Sequence, residues 1–249
     1  MQHTSVQGSP GTKVSNGRDK GRDFHRAITD FCDNSGMSSS STVPRPFVIG
    51  LAGPSGSGKS TAAKRIGSRL NAHVISMETY TADSSHLPLS EREKLNYDLP
   101  EALDVRLLAE HVREYAAGHS IESPIYDFAQ HMRVRDRTPV PPKPVLIVEG
   151  ILALHFAELR PYYGLSIYLD APDDLCFRRR QVRDITERQR SLDLIRWQWE
   201  NTVHPAAQRY LLPSKAYADA VIDAKDDLAT VEKKILEIVQ PKVAIGAAR

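Results

Sequence analysis

GPSGSGKST, residues 53–61, is the stretch that decides the fold of this chain. Its spacing fits a phosphate-binding loop: Gly53, four residues, Gly58, then Lys59 and Ser60. Phosphate oxygens must approach a ring of backbone N–H groups, and glycines leave that approach open. We expect Lys59 to reach the β- and γ-phosphates of a nucleotide, and Ser60 to bind Mg²⁺. The predicted nucleotide-binding residues are therefore Gly53, Pro54, Ser55, Gly56, Ser57, Gly58, Lys59, Ser60 and Thr61.

The segments around this loop predict an α/β fold. PFVIGLA (46–52) is an apolar run typical of a buried strand, and apolar residues recur at helical spacing after the loop. Apolar runs and amphipathic helices then alternate along the chain, which is typical of a mainly parallel sheet flanked by helices. The expected strands lie at 72–77, within 144–154, at 165–172 and within 217–224, and the expected helices begin near Asp104 and Asp173 and before Leu228. Together with the loop, this order predicts the P-loop NTPase fold.

Composition narrows the classes of partner. The 249 residues include 33 basic and 31 acidic side chains, so the net charge of +2 gives no overall basic field for nucleic acid or membrane. Two cysteines, Cys32 and Cys176, are too few for a disulfide framework or a zinc site, and we expect reduced thiols. The sequence contains no run of about 18 apolar residues and no apolar signal-peptide core. We therefore expect a cytoplasmic protein.

The chain divides into one domain and two tails. Residues 1–45 are rich in Ser, Gly and mixed charge, a composition that cannot offset ordering entropy, so they are predicted to be a disordered tail. FHRAITDFC (24–32) has helical apolar spacing, and an alternative is a short helix that docks on a partner. We assign residues 46–240 to the domain and 241–249 to a flexible C-terminal tail.

Two carboxylates follow predicted strands, where ligands bind in open α/β sheets. Glu78 can take a proton from an acceptor hydroxyl, although a solvated carboxylate is the simpler alternative. Glu149 ends the most apolar run and can meet Mg²⁺ directly or through water. For Glu149 the alternative is a helix cap or a salt bridge.

RRRQVRDITERQR (178–190) carries six arginines. On a helix, residues 179, 183 and 190 share one side, while residue 180 lies on another. The arginines therefore occupy more than one face, which a single solvent-exposed stripe of charge does not explain. Phosphoryl transfer needs positive charge over the moving group, and an Arg-rich helical lid supplies it on closing. The alternative is a charged surface helix balanced by Asp184 and Glu187.

Taken in order, these motifs resemble a known family. From about Pro46 to Ile222 the chain is similar to the uridine/cytidine kinases of the phosphoribulokinase and uridine kinase group. The motifs that carry the likeness are GPSGSGKST, ISMETYTADSSHLPLSEREKLNYDLPEALD, PIYDFAQHMR, VEGILAL, RRRQVRDITERQRSLD and PSKAYADAVI. The resemblance implies ATP- or GTP-dependent phosphorylation, with Mg²⁺, of the 5′-hydroxyl of uridine or cytidine in pyrimidine salvage, by an enzyme that is usually a homo-oligomer.

The resemblance also implies roles for individual residues. The ribose-binding carboxylate falls on Asp98, and the base-recognising side chains fall on Tyr126 and His131, with Phe128 between them. Arg180, Arg190 and Gln198 fall on substrate contacts. Lys59, Glu78, Arg183 and Arg188 take the catalytic roles, and Ser60 and Glu149 the metal site.

Departures from the family pattern leave other functions open. The family has an aspartate where this chain has Glu78, an aromatic residue where it has Thr81, and a histidine where it has Leu99. The turn that helps to seat the nucleotide base is replaced by DAKDD (223–227). One alternative is a P-loop kinase of another small alcohol, such as pantothenate, glycerate or a sugar phosphate. The other is a catalytically weak nucleotide-binding regulator.

Overall fold

The computed structural model describes residues 45–246. Seven strands are present in this part of the chain: β1 (Phe47–Ala52), β2 (Ala72–Ser76), β3 (Ile121–Asp127), β4 (Met132–Val140), β5 (Val145–Glu149), β6 (Leu165–Asp170) and β7 (Ala220–Asp223). Five of them form one sheet in the order β2-β5-β1-β6-β7 with every pairing parallel. β3 and β4 form a separate antiparallel hairpin.

The described helices cover both faces of the sheet. The α-helices are α1 (Lys59–Arg69), α2 (Leu89–Arg92), α3 (Val105–Ala116), α4 (Asp173–Thr186), α5 (Leu192–Gln198), α6 (His204–Ala206), α7 (Leu212–Ser214) and α8 (Leu228–Gly246). Between α5 and β7 the chain also forms π-helical turns at Trp199–Val203 and Ala207–Leu211. Short 3₁₀ helices lie at Met77–Tyr80, Pro100–Ala102, Arg160–Tyr162 and Lys215–Tyr217.

The central strands are buried on both faces, which is why they are continuous apolar runs in the sequence. All five residues of β5 are buried. One face packs against α3 through Leu108, Val112 and Tyr115, which recur at helical spacing in the sequence. The other face packs against α1 and α8, with Ile66 and Ile235 fully buried.

The predicted α/β fold with a mainly parallel sheet is confirmed. The predicted boundary between the domain and a flexible C-terminal tail, after residue 240, is wrong. The helix α8 continues to Gly246, so residues 241–246 are helical although Pro241 lies inside the helix. Apolar residues such as Val239 and Val243 still pack against the core at this end of α8. The predicted N-terminal tail, the alternative helix at 24–32 and Cys32 lie outside the described residues, except for Arg45 at the tail's end.

None of the helices within residues 45–246 is both long enough and apolar enough to cross a membrane.

The sheet brings the candidate functional residues to one edge. The phosphate-binding loop follows β1, the segment with Glu78 follows β2, and Glu149 is the last residue of β5. Because β5 lies between β1 and β2, Glu149 pairs with Leu51 on one side and Ser76 on the other. Glu149 therefore lies between the loop and Glu78.

Candidate functional site

The phosphate-binding loop has a backbone that requires glycine. Gly58 caps α1 in the left-handed conformation, with φ of 91°. Gly56 has φ of 90°, and a Cβ added there would collide with the carbonyl oxygen of Cys176 on α4. The loop is thus seated closely on α4, and Lys59, the first residue of α1, is buried beside it.

Ser60 and Glu149 form the polar pair expected at a metal site. The Ser60 hydroxyl donates to Glu149 Oε2 at 3.0 Å. Burial raises the pKa of Glu149, and the positive charge of Lys59 acts against that rise. A hydroxyl and a carboxylate are the oxygen ligands that Mg²⁺ prefers, so these residues fit the ion. The described residues contain no cluster of three or more His, Cys, Asp or Glu side chains that could hold a metal alone, and Mg²⁺ usually takes further ligands from phosphates and water.

Two cavities open on this edge of the sheet. The first, the phosphate cavity, is lined by residues 56–61 together with Lys64, Ser76, Glu78, Thr79, Phe128, Glu149, Arg179, Arg183, Glu187, Arg188, Ala224, Asp226, Leu228 and Val231. The second, the aromatic cavity, is lined by Ser55, Met77, Glu78, Thr81, Leu95, Tyr97, Asp98, Leu103, Tyr126, Phe128, His131, residues 150–152, Arg180, Arg183, Arg188, Arg190, Gln198 and Thr202. Four residues line both: Glu78, Phe128, Arg183 and Arg188.

Aromatic rings form one wall of the aromatic cavity. His131 stacks on Tyr97 with ring centroids 5.2 Å apart, and Tyr126 meets Phe128 edge to face at 5.1 Å. His131 lies in the turn between β3 and β4, with a positive φ of 48°. Burial lowers the pKa of His131, and the nearby Arg190 charge acts in the same direction. The imidazole is therefore neutral near pH 7 and can both donate and accept a hydrogen bond.

Polar side chains also line the aromatic cavity. Asp98 is partly buried; its burial raises its pKa, while Arg180 acts to lower it. Arg180 donates to the Ser55 hydroxyl at 2.9 Å and to Gln198 Oε1 at 3.3 Å. Arg190 donates to the same Gln198 oxygen at 3.3 Å. The predicted substrate residues Asp98, Tyr126, Phe128, His131, Arg180, Arg190 and Gln198 thus all line one cavity.

Glu78 lies where the two cavities meet. It belongs to the 3₁₀ helix Met77–Tyr80 directly after β2, and its side chain is about half exposed, at 46%. Its Oε2 lies 3.5 Å from Nη2 of Arg188, whose guanidinium is 5.3 Å from the centre of the Phe128 ring. A carboxylate and a guanidinium therefore face each other between a phosphate-binding loop and an aromatic cavity.

The predicted faces of the arginine helix are wrong. α4 ends at Thr186, so Arg190 is not on the helix. The chain turns back there, with Gln189 at φ of 52° and the Arg190 N–H donating to the Asp184 carbonyl at 3.0 Å. Arg180 therefore joins Arg183, Arg188 and Arg190 around the Asp184 carboxylate. Arg179 points elsewhere and donates to the carbonyl of Ala224 at 3.0 Å.

Three residues of the site are not among the site residues assigned from the sequence. Tyr97 stacks on His131, Arg179 lines the phosphate cavity, and Asp184 is fully buried among arginines rather than balancing charge on a surface helix. A signal for Asp184 was present, because Arg180 and Arg188 stand four residues before and after it. Tyr97 adjoins Asp98 in the NYDLP motif, but nothing in that spacing shows that its ring meets His131, which is brought there by the β3–β4 hairpin.

The fold and the site define a class of protein. A glycine-rich loop between a parallel strand and a helix, an adjacent Mg²⁺-type ligand pair and arginines over a second cavity are the parts of a P-loop phosphotransferase. Residues 48–231 match the phosphoribulokinase / uridine kinase family, and the chain belongs to that family. The family resemblance seen in the sequence is thus confirmed.

Individual relatives agree with this assignment. A uridine kinase from Tolumonas auensis is 42% identical over 190 residues, covering 74% of this chain and 89% of the relative. A uridine kinase from Clostridium tetani is 44% identical over 181 residues, covering 72% and 87%. The D-glycerate 3-kinase structure from Cryptococcus neoformans var. grubii superposes with a TM-score of 0.54 at 15% identity, over 74% of this chain and 88% of that one. This last similarity shows the fold alone.

Proposed function

We propose that the protein is a nucleoside kinase that transfers the γ-phosphoryl group of ATP or GTP to the 5′-hydroxyl of uridine or cytidine, a reaction of pyrimidine salvage. Relatives named uridine kinase, 42% and 44% identical over most of their length, support this function. The structural observation that carries the proposal is the shared lining of the two cavities. Glu78, Phe128, Arg183 and Arg188 border both, so a donor phosphate on one side can meet an acceptor hydroxyl on the other.

On the donor side, the chain supplies positive charge and N–H groups. The backbone of the loop surrounds the phosphates, and Lys59 places a buried ammonium group beside them. When bound, Mg²⁺ neutralises charge on the phosphates, and Ser60 and Glu149 are the residues that would hold it. Arg183 and Arg188 add positive charge where charge develops in the transition state.

On the acceptor side, the residues that line the aromatic cavity would bind the nucleoside. Asp98 accepts hydrogen bonds from two neighbouring ribose hydroxyls, and Tyr126 and His131 contact the pyrimidine edge. Phe128 supplies an apolar surface for the base. Glu78 orients the 5′-hydroxyl and takes its proton late in the transfer, because the loose transition state needs little earlier deprotonation.

An acceptor panel tests this function. Purified protein with ATP and Mg²⁺ should release ADP with uridine or cytidine, and not with pantothenate, glycerate or no acceptor. Activity with one of the other alcohols instead would favour the first alternative. Tight nucleotide binding without acceptor-dependent ADP release would favour the regulator. Repeating the panel with GTP ranks the donors.

Two further expectations belong to this proposal. A free nucleoside and ATP meet in the cytoplasm, which is the location that we propose for the reaction. Assembly into a homo-oligomer is proposed from the family resemblance, and light scattering of the full chain measures it.

A further inference from the structure

The Asp184 carboxylate on α4 is fully buried and surrounded by four guanidinium groups. Its Oδ1 accepts from Arg183 Nε at 2.8 Å and Nη2 at 2.7 Å, and its Oδ2 accepts from Arg190 Nη1 at 3.2 Å. Arg180 Nε lies 3.5 Å from Oδ2, and Arg188 Nε lies 3.8 Å from Oδ1. Arg183 and Arg190 therefore hydrogen-bond to the carboxylate, whereas Arg180 and Arg188 lie at ion-pair distance from it.

Four like charges gathered in one place repel one another, and an anion between them offsets part of that repulsion. Burial acts to raise the pKa of Asp184, but the guanidinium groups, Arg180 foremost, outweigh burial and lower it. Asp184 therefore stays ionised across the physiological range. The backbone carbonyl of Asp184 also accepts the backbone N–H of Arg190 at 3.0 Å, and this hydrogen bond closes the turn after α4.

The four arginines extend from Asp184 into both cavities. Arg183 and Arg188 line both cavities, while Arg180 and Arg190 line the aromatic cavity and share the Gln198 oxygen. Arg180 also binds the Ser55 hydroxyl of the phosphate-binding loop. Asp184 itself is not among the described residues that line either cavity. Any effect of this carboxylate on the reaction must therefore pass through the arginines.

We propose that Asp184 is a positioning residue that holds Arg180, Arg183, Arg188 and Arg190 in one arrangement and so couples the two cavities. The inference rests on the proposed phosphoryl transfer. Charged donors accelerate such a reaction when they are fixed before charge develops, and a misplacement of about 1 Å can cost about a hundredfold in rate. A single buried anion among the four supplies that fixed arrangement.

Two substitutions test the role. Asp184→Asn keeps the size and removes the charge; we expect kcat to fall by about a hundredfold, with a higher KM for uridine and weaker binding of Mg·ATP in calorimetry. Asp184→Glu keeps the charge but moves it by a methylene; we expect it to fold and to lose about tenfold in kcat. Asp174→Asn is the matched control, because Asp174 pairs with Arg178 on the same helix at 2.8 Å and both are exposed.

A double-mutant cycle separates positioning from stability. If Asp184 acts through the arginines, adding Asp184→Asn to Arg183→Gln should cost several-fold less in kcat than it costs the native enzyme. An undiminished, multiplicative loss would overturn the proposal, as would native kcat, KM and Mg·ATP affinity in folded Asp184→Asn. Loss of the folded state in both Asp184 variants would assign the residue to stability and overturn it too. A native protein that binds Mg·ATP but does not phosphorylate uridine would instead refute the proposed function. In that case the Mg·ATP titrations would still test the role of Asp184.

Discussion

At the scale of single residues, Glu78 raises the question of how a glutamate would serve at a position where the family resemblance leads us to expect an aspartate. A glutamate reaches one methylene farther, and its Oε2 lies 3.5 Å from Arg188 Nη2, at the outer limit of hydrogen-bond distance. A shorter side chain on the same backbone draws the carboxylate back from Arg188. We therefore interpret the site as adapted to glutamate.

Substitution of Glu78 tests this interpretation. Glu78→Gln should lower kcat by about 10² to 10⁴, with little change in KM for the nucleoside, because the acceptor for the proton is lost while the size is kept. Glu78→Asp should also lose activity, by about tenfold or more, since its carboxylate falls short of Arg188. Steady-state kinetics measures both, and Glu101→Gln, an exposed glutamate in the Pro100–Ala102 helix, is the control. Native turnover in Glu78→Gln would show that another group takes the proton.

We predict that Asp98 strengthens nucleoside binding but lowers the stability of the ligand-free protein. Burial raises its pKa, so the folded state holds this proton more tightly than the unfolded state does. Its contribution to stability is therefore fully present below the unfolded pKa of about 4 and is lost as the pH rises through the folded pKa. As the pH rises above about 4, the burial of Asp98 therefore lowers the stability of the ligand-free protein.

Asp98→Asn should therefore have two opposite effects. The KM for uridine should rise strongly because a paired acceptor is lost, while Mg·ATP affinity changes little. The Tm of the ligand-free variant should exceed that of the native protein at pH 7, and the difference should shrink as the pH falls toward 4. Thermal melts over this pH range measure the effect. A Tm difference that does not depend on pH would contradict the linkage, and a collapse of ATP affinity would assign Asp98 to the wrong ligand.

At the scale of elements, the sequence predicted those strands and helices that have a clear pattern of apolar residues. The strand β5 was predictable because it lies in the most apolar run of the chain, and α3 was predictable because its buried residues Leu108, Val112 and Tyr115 recur at helical spacing. The hairpin β3–β4 was not identified as an element, because β4 is mostly exposed, carries arginines at alternate positions (133, 135 and 137) and contains Pro139. The arginine faces were wrong because periodicity cannot show where a helix ends, and α4 ends before Arg190.

The same limit applies to the candidate site. The loop residues were predictable from local spacing, and the cavity residues from the family motif. The partners that join them are long-range: Arg180 and Ser55 are 125 residues apart in the chain, and Arg179 and Ser57 are 122 residues apart. No local pattern encodes such contacts, so they required the fold.

The contact between the loop and α4 yields a prediction about glycine. Gly56→Ala should reduce stability and Mg·ATP affinity, because the left-handed backbone is strained and the Cβ meets the backbone of Cys176. Gly118→Ala is the matched control, since Gly118 has φ of 91° with open space around its Cβ position. The control should cost about 1–2 kcal/mol from backbone strain alone. Equal losses of Tm in the two variants would show that the loop moves away from α4 without cost.

At the scale of the whole molecule, the fold and the candidate site occupy a continuous part of the chain. The sheet begins with β1 at Phe47, and the described lining residues of both cavities all follow it. The family match also begins there, at residue 48, and ends at residue 231, within α8. We therefore expect the N-terminal and C-terminal ends of the chain to differ in how much they contribute to stability and activity.

Removal of each end tests that difference. Deletion of residues 1–40 should leave the Tm and kcat almost unchanged, because the described core and both cavities are built from later residues. Deletion of residues 239–249 should lower the Tm, because it removes Val239, which is fully buried against the sheet through α8. Thermal melts and the uridine assay on both truncated proteins measure the contrast. A large fall in Tm on removing residues 1–40 would instead support docking of the segment 24–32 on the domain or on a second copy, and comparing the mass in solution of the native and truncated proteins decides between them.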